Sequence, residues 1–110
     1  MNFRVSISRR AKCDIREIVE WIRVRSSKGA LAWLDALESN LSHISSDAPS
    51  STPAAEADDL GLDLRQRLFK TRRGNSYRLV FIIRKDIVHV LAVRGTGQDL
   101  LQWADIEIPE

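Results

Sequence analysis

Residues 3–8, FRVSIS, alternate Phe3, Val5 and Ile7 with Arg4 and Ser6, the period of two of a strand with one buried face. The period changes at Ser8. Ala11, Ile15, Ile18, Val19 and Ile22 recur at helical spacing, while Arg10, Lys12, Asp14, Arg16, Glu17 and Glu20 fall largely off that stripe. Ser8 is placed to cap this helix, because its hydroxyl can accept from an otherwise unpaired N–H of the first turn. After a short break at RSSK, with Ser27 a candidate second cap, Ala30, Leu34, Leu37, Leu41 and Ile44 trace another apolar stripe beside Trp33. Two amphipathic helices so closely joined predict an antiparallel hairpin. Trp21 and Trp33 sit at helical spacing within it and are expected in the core rather than on a binding platform.

Residues 45–63, dominated by Ser, Pro, Ala and acids, show no periodicity and read as a mobile acidic loop. Three strand patterns follow: LDLRQRLFKT, SYRLVFIIR after a Gly74-Asn75 turn, and IVHVLAVR after Lys85-Asp86. The segment from residue 98 onward is a short helical turn or an irregular acidic tail. The predicted order is β-α-α-β-β-β, an α+β fold of two layers. An antiparallel meander and the first strand form a sheet, with the helical hairpin packed on one face.

That sheet must bury one face and leave the other open. In the strand over 76–84, Tyr77, Leu79, Phe81 and Ile83 are larger and more apolar than Arg78, Val80, Ile82 and Arg84, so the first set is assigned to the helical side. In the last strand Ile87, His89, Leu91 and Val93 take the same role, leaving Val88, Val90, Ala92 and Arg94 on the open face. Its apolar centre and cationic rim suit a phosphate backbone or an acidic peptide. The register of residues 64–71 stays open, since a slip of one residue exchanges its two faces.

A chain of 110 residues holds one domain, and its 44% hydrophobic and 29% charged residues are those of an ordinary globule. No apolar run reaches membrane-spanning length, and no secretory signal is evident, so a cytoplasmic location with no membrane partner is expected. The lone Cys13 excludes a disulfide framework and is expected to be at least half-buried; no metal or cofactor is called for. Charge changes the picture more. The net charge of +2 conceals blocks of +5 over 1–28, −7 over 29–64, +8 over 65–94 and −4 over 95–110. The blocks either pair with one another on the surface or leave a local field. Cations flanking two apolar strands favour the field.

Three stretches carry a family resemblance: Ser8-Arg9-Arg10-Ala11 at the helix entry, YRLVF, and VLAVRG at the end of the last strand. In this order and spacing the chain resembles the RelE/ParE superfamily of type II toxin–antitoxin toxins from Phe3 to about Leu101. A single toxin domain over residues 1–110 is implied, with a cognate antitoxin as partner. The resemblance implies ribosome-dependent mRNA cleavage first, with inhibition of DNA gyrase as the alternative and a non-catalytic homologue that mainly binds its antitoxin as a third reading. RelE-like members cut mRNA on the ribosome, where a ribose 2′-hydroxyl attacks the adjacent phosphate and the enzyme must move protons and stabilise charge. Carried over, Arg78 matches the arginine after Tyr, Lys70 and Arg72 the second-strand cations, and Arg94 the arginine after the last strand. The C-terminal tyrosine of that branch is missing, since GTGQDLLQWADIEIPE contains none. ParE-like members poison DNA gyrase and need no such set. Arg65, Arg67 and Arg73 are expected to touch RNA or another target, although charges on exposed strands also simply oppose aggregation. Val80, Ile82, Val88 and Val90 are expected to bind the antitoxin. His43 and His89 form no recognisable triad.

Overall fold

A computed structural model describes residues 2–109; Met1 and Glu110, the ends of the expected domain and tail, lie outside the described residues. Strand β1 (Arg4–Ile7) leads into helix α1 (Arg9–Arg25), and the Ser8 side chain accepts from the Ala11 N–H. Helix α2 (Ser27–Asp47) turns back along it. Ser26 serves both helices, in place of the expected Ser27. Its N–H closes α1 on the Ile22 carbonyl, and its hydroxyl accepts from Gly29 N–H at 2.9 Å. Ser26 is extended, at φ −164°, whereas Ser27 is already helical, and a cap must lie just outside the helix.

Among the described residues five strands form one sheet, in the order β1-β5-β4-β3-β2. Strand β2 (Thr52–Pro53) is a two-residue edge, followed by the single-turn helix α3 (Ala57–Leu60). Strands β3 (Arg65–Lys70), β4 (Ser76–Arg84) and β5 (Ile87–Gly95) form the expected antiparallel meander. Strand β1 joins the far edge parallel to β5. The segment read as an irregular loop therefore carries the end of α2, a 3₁₀ turn, β2 and α3. Among the described residues no helix is long and apolar enough to cross a membrane.

On the helical side Ala11, Trp33, Leu37 and Ile44 pack against Tyr77, Leu79 and Phe81, as the alternation in β4 predicts. Trp33 anchors this layer with Phe69 and Tyr77, at ring-centroid distances of 5.6 and 5.5 Å. Trp33 displaces Leu34 from the stripe, leaving Leu34 partly in solvent. Phe69 pairs with Tyr77, which fixes the ambiguous register of β3 and turns Leu68 outward. Trp21 departs from expectation: it is 51% exposed, with the Arg25 guanidinium 3.7 Å above its ring. It lies one position, about a quarter turn, round the helix from the inward-facing Ile22. Cys13 is likewise exposed rather than half-buried.

Strand β5 keeps the expected faces at Ala92 and Val93 but reverses them over Val88–Leu91. Val80 pairs with Ala92 but Phe81 with Val90, so Leu91 is an extra residue in a bulge. Val88, Val90 and Val93 consequently join the helical core, while Leu91 and Ala92 face the other way and His89 lies outside the helical core. Strict alternation cannot anticipate this inserted residue.

The other face of the sheet is not open. Ala54, Leu60 and Leu64 from the 52–64 segment, with Leu101 and Ile106 from the tail, cover Val80, Ile82, Leu91 and Ala92 in a second core. Val80 and Ile82 are fully or almost fully buried there, and Val88 and Val90 are buried on the helical side. The four valines and isoleucines expected as an exposed antitoxin-binding strip thus form no strip.

Candidate functional site

At the centre of this covered face stands Arg78, with Glu56 from the loop before α3. The two are 5% and 1% exposed. Arg78 was expected to face outward; it faces the predicted side of the strand, but under the protein's own chain. A buried guanidinium requires a partner, because desolvating an unpaired charge is prohibitive. Glu56 meets it with both oxygens. Arg78 Nη1 donates to Glu56 Oε1 at 2.7 Å and to Gln66 Oε1 at 3.2 Å, and Nη2 donates to Glu56 Oε2. The Leu101 N–H adds a third donor to that carboxylate at 2.9 Å, so one side chain ties strand, loop and tail together. Burial alone would raise the Glu56 carboxyl, but hydrogen bonds from Arg78, Leu101 and its own backbone outweigh burial and hold it below the ordinary carboxylate value.

The other expected site residues separate into two groups. Arg94 is paired with Arg78 in register but is half-buried and donates to the Asp99 carbonyl at 3.0 Å. Arg65 donates to the carbonyls of Pro49 and Ser51, and Arg67 to Asp47 Oδ1 at 2.6 Å and to the Ser51 hydroxyl. Arg67 therefore fastens the end of α2 to the sheet, and Arg65 the 3₁₀ turn that follows it. Lys70, Arg72 and Arg73 are exposed around the β3–β4 turn, and among the described residues none pairs with an acid. These six cations are thus split between half-buried scaffolding and an exposed basic turn.

Beside that turn lies a cavity of about 600 Å³ lined by Glu17, Ile18, Trp21, Asn75, Tyr77 and Gln98, among others. A second, of about 320 Å³, continues past Trp21 to Arg73 and Trp33. The Tyr77 phenol on their shared wall is pushed upward by burial. Exposed Trp21 therefore stands in a groove whose lining includes Arg73 of the basic turn. His43 is exposed on α2; His89 lines a shallow cavity with Ser6 and Glu107, far in register from Arg78.

A family model described as the ParE toxin of the type II toxin–antitoxin system parDE matches residues 5–100. The chain belongs to the ParE toxin family. Membership brings an antitoxin partner with it. The fold of this ParE-family toxin also recurs in a solved structure, the chromosomal ParDE toxin–antitoxin system from P. aeruginosa. That match has a TM-score of 0.63 at 14% identity and covers 84% of this chain and 95% of that one. None of the curated proteins matches the toxin.

Glu56 was not singled out from sequence. The available signal was an acid flanked by small apolar residues, Ala54-Ala55-Glu56-Ala57, inside a segment otherwise acidic and polar. Such a residue is a candidate for a buried partner of a strand arginine.

Proposed function

We propose that this toxin arrests growth by binding DNA gyrase through its basic turn and the Trp21 groove, and does not cut RNA. The observation that carries the reading is the state of Arg78. Stabilising the charge that develops in phosphodiester cleavage needs a cation aimed at the phosphate and free to meet it. The Arg78 fork is instead buried and saturated by Glu56. Residues 96–110, which follow the last strand, offer no tyrosine to serve as a second member of the nucleolytic set.

The remaining exposed features suit a protein partner. Trp21 offers a large aromatic surface beside a groove, the kind of residue that dominates interface energetics. Arg73 lines that groove, and Lys70 and Arg72 add exposed charge around the same turn, which steers association with an acidic surface. The antitoxin would meet the same basic turn, combining acids with a few apolar anchors and folding on binding. Controlled induction in cells tests the reading. Plasmid supercoiling should fall before any message is broken; messages cut in frame while supercoiling is unchanged would reject it.

A further inference from the structure

The Glu56 carboxylate occupies the position a phosphate would take. It accepts the full fork of the central arginine and one backbone N–H, the donor set that binds phosphates and carboxylates alike. It does so on the one sheet face whose cations, Arg78 and Arg94, lie side by side in register. We propose that Glu56 is a built-in phosphate surrogate that closes this face to nucleic acid, and so restricts the toxin to protein targets. The consequence for targets rests on the gyrase reading above; the closure itself does not.

Three features support the assignment. Glu56 is almost wholly buried yet lies in a segment rich in exposed acids, Asp58, Asp59 and Asp63, so its placement is specific and not a general acidity of the loop. Its second oxygen also holds the Leu101 N–H, which couples neutralisation of Arg78 to seating of the tail. The tail's other ties are at its surface or apolar: Leu101 and Ile106 as anchors, exposed arginine bonds to the Asp99 and Pro109 carbonyls, and partly or largely exposed pairs of Asp105 with Arg10 and Glu107 with Arg9, both at 3.5 Å. Exposed pairs contribute little. Neutralising Glu56 therefore does two things together. It leaves Arg78 as an uncompensated buried charge, and it leaves one acceptor oxygen where two carboxylate oxygens had met Arg78 and the Leu101 N–H. The inexpensive response is for the tail to lift and expose the guanidinium.

The test is the salt dependence of binding to a 12-nucleotide single-stranded oligoribonucleotide. Each phosphate neutralised on a single strand steepens the slope of log K against log salt by about 0.7. Glu56→Gln should bind several-fold more tightly than wild type at low salt, with a slope steeper by about one such increment. Asp58→Asn alters net charge equally, from an exposed position in the same loop, and should not change the slope. Replacing Arg78 by Gln in the Glu56→Gln background should abolish the added increment. An increment equal to that of Asp58→Asn, or one that survives loss of Arg78, overturns the proposal. The wild-type protein provides a check independent of the variants' folding. On adding the oligonucleotide, NMR signals of Arg72 and Arg73 should shift while the Leu101 amide stays unmoved; a shift at Leu101 would show that phosphate already reaches the face. Supercoiling assays bear on the target reading alone, so the two can fail separately.

Discussion

Arg78 and Glu56 form a buried pair in which each charge depends on the other. Truncating either partner strands a buried charge, so Arg78→Ala or Glu56→Ala should each destabilise the fold by about 3–5 kcal/mol, read from urea unfolding. Replacing both by apolar residues of similar volume should cost far less, because no charge is then left unpaired. The pH dependence has a definite sign. The folded carboxyl lies below its ordinary value of 4.5, so the pair's contribution is complete above about that pH and is lost as pH falls through the folded value. The advantage of wild type over Glu56→Gln should accordingly shrink in acid. Asp14, which accepts the Val93 N–H, works in the opposite direction. Burial raises it above 3.8, outweighing the Val93 bond and Arg10, so wild type loses some stability as Asp14 ionises. Comparing each variant with wild type across pH 3–6 separates the two. Sequence alone placed Arg78 on the correct side of its strand, since alternation is reliable there. It gave no sign that the side was covered, because covering depends on where a distant loop and tail return.

The strands and helices were more legible than the connections. Strand β4 runs over Ser76–Arg84 as its pattern indicates, and the Ser8 cap is present, because both depend on neighbouring residues. Strand β5 was misread in its faces through the single inserted Leu91, and the loop before β3 through short elements that lack any period of their own. These are held by tertiary contacts, such as the Ala54 N–H on the Leu64 carbonyl at 2.8 Å, the Arg65 bond to the Pro49 carbonyl and the Arg67 bond to Asp47 at the end of α2. The helical hairpin makes a sharper prediction. Ser26 closes one helix and opens the next, and only its hydroxyl reaches the Gly29 N–H. Ser26→Ala should cost about 1 kcal/mol. For a chain of this size that lowers the melting temperature by about 4 °C in a calorimetric scan. An unchanged melt would mean that solvent satisfies the exposed N–H equally well.

Charge segregation along the chain resolves into both of its possible meanings. Acids of the 29–64 block meet the basic strands through Asp47–Arg67, Glu56–Arg78 and Asp63–Arg65, and the acidic tail meets the first helix through Asp105–Arg10 and Glu107–Arg9. Much of the apparent field is thereby cancelled internally. The basic turn is the part left over, beside Trp21. Reversing it with Arg72→Glu and Arg73→Glu should slow association with an acidic partner several-fold at low salt, leave dissociation nearly unchanged, and lose its effect as ionic strength rises. Surface plasmon resonance at two salt concentrations reads both rates; equal association rates for the two proteins would remove the turn from the interface. The most direct measurement is supercoiling of relaxed plasmid by purified gyrase, with the toxin added and no ribosomes present. The buried Arg78 and the free turn predict dose-dependent inhibition with cleaved DNA trapped on the enzyme. Unchanged supercoiling at a large excess of toxin, with cutting of a defined message on programmed ribosomes, would contradict it.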